Sequence, residues 1–301
     1  MNDGAPGRIR TSDPLVRSQM LYPTELRAHI AGMQSFKDNG VCPLEQAAEA
    51  FSQRRSRPRQ DLIGSKISTR RMTDLPEHLF ANPVWQALQT KHRHFAVSAG
   101  DACRYPADVA PFAAVAPPST LALQQLHSLL TPGESVWLIG ESYPHTSPLS
   151  FEKTLGCLQM VLPEEVPPPS PAVEIVPLSN ANAPEMVALT NLAFPGFFRS
   201  RTCEMGTYFG VRVNGKLIAM GGERLMLDGY PEISGICTHP EHRGKGYAAS
   251  LIWHLARNHR RNDLVSWLHV SAANQPAIEL YLRLGFTVAR EVTLHRVRRT
   301  N

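Results

Sequence analysis

The sequence predicts an α+β or α/β protein in which strands and helices alternate along the second half of the chain. Residues 232–256 contain an apolar strand, a glycine-rich turn and a helix with apolar residues at i, i+3, i+4 and i+7. Residues 264–285 contain an alternating strand and a helix that stops at Gly285. Asn214-Gly215 between two apolar runs predicts a β-hairpin.

The composition is that of an ordinary globular protein. The chain has 301 residues, of which 43% are hydrophobic and 19% are charged, so it can bury a substantial core. Its net charge of +5 resides in residues 1–71, which hold 12 Lys+Arg and 7 Asp+Glu, whereas the remainder holds 19 of each. A neutral remainder gives no electrostatic reason to expect a nucleic-acid surface on the folded part.

The 5 cysteines and the apolar runs indicate the compartment. The cysteines form no Cys-x-x-Cys pair, so we expect no disulfide framework and a reducing environment. No signal peptide or uninterrupted apolar stretch of about 18 residues is present. These features predict a cytoplasmic protein that does not enter a membrane.

Residues 1–71 are expected to be disordered or to be a mis-annotated extension upstream of the native start. They contain scattered prolines and a basic run over residues 54–59. The codons for Arg8 to Thr11 can match the complement of the T-loop consensus of transfer RNA genes, so this opening resembles antisense translation of such a gene. We expect translation to start at Met72, with Met33 as the second choice. The alternative for the basic run is a nucleic-acid-binding arm.

The remaining chain is expected to form two parts. Residues 72–162 predict a small α+β domain with a helix over 120–130, capped by Ser119 or Thr120, and strands over 94–98, 135–140 and 155–162. Residues 163–171 contain 5 prolines and predict a stiff linker. Residues 172–301 predict a second domain, with strands over 173–177, 208–213, 216–226 and 288–297, a helix over 183–193, and a helix or loop over 194–205.

The turn at residues 243–248 has the character of an anion-binding site. A glycine-rich turn at a helix start exposes backbone N–H groups at the positive end of the helix dipole. The spacing is not that of a phosphate loop, Gly-x-x-x-x-Gly-Lys-Ser/Thr. It is not that of Gly-x-Gly-x-x-Gly either, because Ala249 stands at the third glycine position.

Two motifs resemble those of the GNAT N-acyltransferase superfamily. Arg243, Gly246 and Ala248 match its pyrophosphate loop, Arg/Gln-x-x-Gly-x-Gly/Ala, and residues 274–286 match its Asn-x-x-Ala-x-x-Leu-Tyr-x-x-x-Gly-Phe block. The resemblance covers residues 172–301 and implies a mixed central sheet flanked by helices. The preceding part resembles the degenerate first half of glycine N-acyltransferase-like proteins, which implies a structural or acceptor-shaping role.

The resemblance implies an acyl-CoA site where the strand that ends near Thr238 splays from the strand that ends near Ser271. Acetyl-CoA or another acyl-CoA would be the co-substrate, and no metal is expected. The implied cofactor-binding residues are Ile236, Cys237, Thr238, Arg243, Gly244, Lys245, Gly246, Tyr247 and Ala248. Cys237, His239 and His242 fit no familiar zinc spacing.

Amine acylation requires a group that removes the proton of an alkylammonium, whose pKa is about 10. The resemblance makes Glu232 the first candidate for this base and Glu223 the second, and either could instead be a solvated carboxylate at a strand end. Tyr281 matches the tyrosine that donates a proton to the leaving CoA thiolate, or it packs in an amphipathic helix. Asn274 could bind pantetheine or cap the helix.

These patterns predict an acyl-CoA-dependent N-acyltransferase, most simply an N-acetyltransferase, that acts on a small-molecule primary amine. We expect a monomer or homodimer without a nucleic-acid or membrane partner. A different class, a non-catalytic CoA sensor, would keep the phosphate loop without depending on Glu232 or Tyr281. A nucleic-acid binder would lose its affinity without residues 1–71.

Overall fold

A computed structural model describes residues 76–140, 142–144, 149–164, 169 and 173–300. They belong to one compact unit that extends from Thr69 to Asn301. The predictions for residues 1–71 and for a start at Met72 lie outside the described residues.

Six α-helices and eleven strands occur in the described part of the chain. The helices are α1 (Glu77–Phe80), α2 (Pro83–Gln89), α3 (Thr120–Leu129), α4 (Ala183–Ala193), α5 (Tyr247–Arg261) and α6 (Gln275–Arg283). The first strands are β1 (Val97–Ala99), β2 (Ala102–Arg104), β3 (Ala113–Val115), β4 (Ser135–Ile139), β5 (Leu149–Val161) and β6 (Val176–Leu178). The others are β7 (Tyr208–Val213), β8 (Lys216–Leu227), β9 (Tyr230–Thr238), β10 (Trp267–Ser271) and β11 (Thr287–Arg299).

The strands form a small and a large sheet. Strands β1, β2 and β3 make a three-stranded antiparallel sheet, and the other eight make one sheet in the order β4-β11-β5-β10-β9-β8-β7-β6. Neighbours in the large sheet are antiparallel except β9 and β10, which are parallel. The prediction of a mixed sheet flanked by helices and preceded by a smaller sheet is confirmed.

Strand β5 joins the two parts that the sequence separates. It precedes the proline-rich segment 163–171, yet it lies between β10 and β11 in the large sheet. Val161 is opposite both Trp267 and Thr287, so β5 pairs along its length with strands made much later in the chain. The segment 163–171 therefore does not separate two sheets. Its composition predicts a stiff connection but carries no information about where the strand before it pairs.

Several predicted element bounds differ from the structure. The strand predicted over 173–177 is β6, which begins at Val176. The strand predicted over 94–98 is a 3-10 turn at Arg93–Phe95 followed by the short β1. Strand β5 begins at Leu149, six residues before the predicted 155. The prediction missed residues 150–154 because they are exposed and, except for Phe151, polar, so they show no apolar alternation. Pairing with β11 holds that part of the strand in place.

The two faces of the large sheet are covered by different parts of the chain. On β9 and β10, Ile233 and Leu268 pack in one core cluster with Leu255 of α5. Trp267, the neighbour of Leu268, instead contacts Phe80 of α1, with ring centroids 4.9 Å apart. Because neighbouring residues of a strand point to opposite faces, α5 and α1 lie on opposite sides of the sheet. We call residues 76–115, which include α1 and α2, the N-terminal layer.

Candidate active site

The glycine-rich turn leaves its backbone uncovered. Strand β9 ends at Thr238, a 3-10 turn follows at Pro240–His242, and α5 starts at Tyr247. Gly244 and Gly246 have φ of +76° and +80°, and a Cβ at either would meet no atom within 4 Å. Positive φ favours glycine at both positions, and the absent side chains leave room for a ligand against the main chain.

The amides of this turn are available to an anion. The N–H groups of residues 244–249 donate to no described residue, whereas Ser250 already donates to the Gly246 carbonyl. They lie at the start of a 15-residue helix, where the helix dipole is positive. The side chains of Arg243 and Lys245 are exposed beside them. The turn therefore has the geometry and charge that favour a phosphate group.

Strands β9 and β10 diverge next to this turn. Their parallel pairing consists of Trp267 opposite Glu232. Beyond it, β9 stays with β8 as far as Thr238, and β10 stays with β5 as far as Ser271. The divergence implied by the family resemblance is therefore present, and it opens toward the free amides of the turn. We call the space between Ile233–Thr238 and Leu268–Ser271 the β9–β10 cleft.

Glu232, the first candidate for the base, is fully buried at the closed end of this cleft. Its Oε1 accepts hydrogen bonds from Arg224 Nη2 at 2.6 Å and His269 Nδ1 at 2.8 Å. Its Oε2 accepts from Arg224 Nε at 3.0 Å and the Leu225 N–H at 3.1 Å. Burial alone would raise the carboxyl pKa, but the Arg224 charge and the His269 hydrogen bond together lower it to about 2. Glu232 is therefore a firmly held anion.

The polar contacts continue across the sheet from Glu232. His269 Nε2 lies 3.1 Å from Nε2 of Gln159 on β5, and that amide also donates to the Phe80 carbonyl at 3.1 Å. Gln159 is fully buried, and its Oε1 has no partner among the described residues. On the other side, the Arg224 guanidinium lies 4.8 Å from the ring centroid of Phe112 in the N-terminal layer. We call Arg224, Glu232, His269 and Gln159 the cross-sheet network.

Tyr281, the implied proton donor, lies on α6, and Asn274, the implied pantetheine-binding residue, precedes that helix. Tyr281 is half-buried, its ring packs against Phe286, and no hydrogen bond joins its hydroxyl to another described residue. Burial and the nearby Glu232 charge raise the pKa of Tyr281 to about 12, so the phenol keeps its proton near neutral pH. Asn274 caps α6, with its Oδ1 accepting from the Ala277 N–H at 3.4 Å. The capping alternative for Asn274 is therefore observed.

Comparison with known proteins identifies the family of this chain. The model of the acetyltransferase (GNAT) family matches residues 180–286. The crystal structure of a protein described as an acetyltransferase from the GNAT family, from Novosphingobium aromaticivorans, shares 35% identity with this chain at a TM-score of 0.67. That match covers 74% of this chain and 100% of the other.

This chain belongs to the GNAT acetyltransferase family. A GCN5-related N-acetyltransferase from Kribbella flavida has the same fold, with 19% identity and a TM-score of 0.51 over 72% of this chain and 93% of that one. The search among curated proteins gave no match. The shared layout with glycine N-acyltransferase-like proteins is not among these findings.

The second candidate base, Glu223, lies on the opposite face from Glu232 in this GNAT sheet. Its Oε1 is 2.8 Å from His259 Nε2 on α5, and its Oε2 accepts from the Thr207 N–H at 2.9 Å. His259 Nδ1 lies 2.8 Å from the Ser266 hydroxyl. Burial would raise the pKa of Glu223, but the contacts with His259 and Thr207 outweigh it and keep the pKa below its ordinary value. These contacts join α5 to the chain at Thr207.

The other implied cofactor residues line the cleft and the turn. Ile236, Thr238, Tyr247 and Ala248 are half-buried, and Cys237 is buried. Burial raises the pKa of the Cys237 thiol to about 12, so it is inert as a nucleophile. No cluster of three His, Cys, Asp or Glu side chains among the described residues could hold a metal. In the same residues no helix has the length and apolar character needed to span a membrane.

Sequence reasoning missed Arg224, His269 and Gln159. Each is a polar residue in a strand whose neighbours are mostly apolar and buried. His269 is two residues beyond Trp267 and therefore on the same face as Glu232. A buried strand with polar residues at alternate positions is the signal that could have singled out these positions.

Proposed function

We propose that this GNAT protein is an acyl-CoA-dependent N-acyltransferase that transfers an acyl group, most simply acetyl, directly to a primary amine of a small molecule. The observation that carries the proposal is the β9–β10 cleft, which opens toward the unpaired amides of residues 244–249. An extended chain of amides ending in a diphosphate matches both features, because the cleft offers unpaired strand edges and the turn offers anion-binding N–H groups.

The residues present fit an acyl-CoA. The N–H groups of Gly244 to Ala248 would hold the diphosphate, with Arg243 and Lys245 as nearby cations. The backbone of Ile236, Cys237 and Thr238 would pair with pantetheine along the edge of β9. When bound, the coenzyme supplies a thioester, whose carbonyl carbon accepts an amine and whose sulfur leaves.

Tyr281 is proposed as the proton donor to the departing thiolate. Its hydroxyl has no partner among the described residues, and its raised pKa keeps it protonated at neutral pH. Glu232 supplies a fixed negative charge at the closed end of the cleft. With a pKa of about 2, it is a poor proton acceptor at neutral pH. Asn274 orients α6 by capping its start.

The N-terminal layer is proposed to shape the acceptor site. The segment between α4 and β7 is held to this layer by four hydrogen bonds, one of which joins Arg201 Nη1 to Asp108 Oδ2 at 3.4 Å. Arg201 N donates to the Asp108 carbonyl at 2.9 Å, the Thr202 hydroxyl donates to the Val109 carbonyl at 2.6 Å, and His92 Nε2 lies 2.9 Å from the Met205 carbonyl. The two segments therefore form one wall on the face that carries Glu232. This supports an acceptor-shaping role for the N-terminal layer.

A thiol-release screen tests the function. Full-length protein is mixed with acetyl-CoA or a longer acyl-CoA and with glycine, lysine, spermidine, phenylethylamine or buffer, and free thiol is measured with a colorimetric reagent. Calorimetry measures CoA binding separately. We expect binding of CoA and amine-dependent thiol release. Absence of CoA binding would refute the proposal, whereas binding without thiol release would support the alternative of a non-catalytic CoA sensor.

A further inference from the structure

We propose that the acceptor amine of this acyltransferase carries an aromatic ring, which binds beside Phe197 and Trp137 on the Glu232 face of the β9–β10 cleft. The inference rests on the proposed function and narrows its acceptor from small primary amines in general to those with a ring. Neither the family match nor the sequence motifs assign a role to Phe197 or Trp137.

The proposed coenzyme leaves one face of the cleft to the acceptor. The free amides of residues 244–249 lead into α5, and α5 packs with Tyr281 of α6 and with Leu268 on one face of the sheet. A coenzyme held by that turn enters the cleft from this face. The amine then reaches the thioester from the opposite face, where Glu232 lies and the N-terminal layer packs.

Phe197 and Phe198 connect the two arms of the sheet that the cleft separates. The cleft divides the large sheet between β10 and β9, so β4 belongs to one arm and β9 to the other. Phe198 lies against β9, because a Cβ placed on Gly235 would be 3.8 Å from its Cε2. The ring centroid of Phe197 is 5.5 Å from that of Trp137 on β4, with 26° between the two planes. We call Phe197 and Phe198 the aromatic bridge.

The open end of the cleft beneath the aromatic bridge is apolar and only partly covered. Strand β5 continues past the end of β10, because Cys157 is opposite Ser271 and Leu155 lies two residues further out on the same face. Leu155, Trp137 and Phe197 pack against the core cluster of the N-terminal layer, yet each is only half-buried. Apolar surface is therefore left on the route that an acceptor would take.

The aromatic side chains at this end favour a flat ring. Trp137 and Phe197 are already nearly parallel, and the ring of Phe112 lies 6.1 Å from that of Phe197 between centroids. Offset-stacked and edge-to-face contacts at such separations are those that aromatic rings prefer. A ring on the acceptor can extend this group, whereas a short aliphatic amine would leave its apolar surface in water.

The charges beside this surface disfavour an acceptor with a second ammonium group. Arg296, the residue of β11 opposite Trp137, lies 3.1 Å from Glu152, and Arg298 lies 3.6 Å from the same carboxylate. The Arg224 guanidinium is a further cation, 4.8 Å from the centroid of an aromatic ring of the N-terminal layer. These groups are positive or already neutralised, so an uncharged ring suits them better than a polyamine chain.

The test compares acceptors in the thiol-release assay with full-length protein and acetyl-CoA. We expect wild type to use phenylethylamine with a kcat/KM about 10- to 100-fold higher than that for ethylamine, because burying a phenyl ring favours binding by about this factor. Spermidine should be no better than ethylamine.

A pair of variants tests the aromatic bridge itself. Phe197→Leu removes the ring and keeps an apolar side chain. Phe151→Leu is the control, because Phe151 is 38% exposed but lies near Tyr143 and His295, with ring centroids 6.3 and 6.2 Å away. The ratio of kcat/KM for phenylethylamine to that for ethylamine should fall about threefold to tenfold in Phe197→Leu. It should match wild type in Phe151→Leu, and both variants should bind CoA as wild type does.

Saturation-transfer NMR on wild type with CoA and phenylethylamine keeps the proposal testable if Phe197→Leu does not fold. The ring protons of the amine should receive more saturation than its methylene protons. Equal saturation would overturn the proposal, and so would an unchanged kcat/KM ratio in Phe197→Leu. Thiol release by wild type without a preference for phenylethylamine would overturn this inference alone. Wild type that neither binds CoA nor releases thiol would overturn the proposed function itself.

Discussion

Replacing Arg224 by methionine should destabilise the fold strongly, because the arginine compensates the buried charge of Glu232. The pair is nearly solvent-free, with side chains 14% and 0% exposed. Removing one partner of such a pair leaves an uncompensated charge, which typically costs about 3–5 kcal/mol. Loss of the guanidinium over Phe112 adds about 0.5–1 kcal/mol.

The Glu232 pKa gives the net stabilisation of the ionised carboxylate by all of its partners. It falls from an ordinary 4.5 to about 2 in the folded protein. At about 1.36 kcal/mol per pKa unit, this difference corresponds to about 3 kcal/mol of stability at neutral pH. The cost of the unpaired charge thus predicts a loss of at least about 3 kcal/mol for Arg224→Met, and the net value for Glu232, to which His269 also contributes, is of the same order.

The pH dependence has a definite sign. The folded pKa is below the unfolded one, so the contribution of Glu232 is present above about pH 4.5 and is lost as pH falls toward 2. Arg224→Met removes the main cause of the low pKa. The difference in unfolding free energy between wild type and Arg224→Met should therefore shrink as pH falls below about 4.5.

Urea denaturation at pH 7 measures the effect. Arg283→Met is the matched control, because Arg283 pairs with Glu279 at 3.8 Å with both side chains 66% exposed, and it should cost less than about 0.5 kcal/mol. Adding Glu232→Leu to Arg224→Met should recover at least half of the loss. An Arg224→Met protein within about 1 kcal/mol of wild type would refute the view that this pair is held in a dry interior.

Three further changes test the site and the fold. Gly246→Ala and its control Gly229→Ala place a Cβ at φ of +80° and +78° with nothing within 4 Å, so each should cost about 1 kcal/mol of stability. Calorimetry should show at least tenfold weaker CoA binding for Gly246→Ala alone. Equal CoA affinities of the two variants would count against the diphosphate site. Tyr281→Phe should lower kcat about 10- to 100-fold with unchanged CoA affinity. Its control Tyr143→Phe loses a 3.1 Å hydrogen bond to the Ile139 carbonyl and should keep full turnover. Full turnover of Tyr281→Phe would mean that the Tyr281 phenol only packs and donates no proton. A chain starting at residue 172 should show no cooperative thermal transition by circular dichroism, because it lacks β5, which lies between β10 and β11. A sharp transition would mean that β10 and β11 can pair with each other when β5 is absent.

The local sequence predicts the parts of the site that depend on backbone. A strand, a glycine turn and a helix start are neighbours in sequence, so residues 232–256 predict the anion-binding geometry with correct element order. The cap at Asn274 and the helix over Thr120–Leu129 depend on equally local patterns. The roles of Glu232, Tyr281 and the nine cofactor residues stay predictions until ligand-bound measurements test them.

The parts that the sequence could not predict depend on distant contacts. The pKa of Glu232 is set by His269, 37 residues later, and by Arg224 on the neighbouring strand. No local pattern shows that these side chains meet. The position of β5 is a stronger case. Its residues 150–154 are polar except for Phe151, and this part of the strand is recognisable only by its pairing with β11.

The insertion of β5 also bears on the order of events during synthesis. On the ribosome, Leu149–Val161 emerges long before either neighbour, and the Thr287 hydroxyl that reaches the Val161 carbonyl is 126 residues downstream. The nascent chain must therefore carry an unpaired, partly apolar strand until β10 and β11 have been made. The proposed coenzyme site is therefore complete only after β10 and β11 have joined β5 in the sheet.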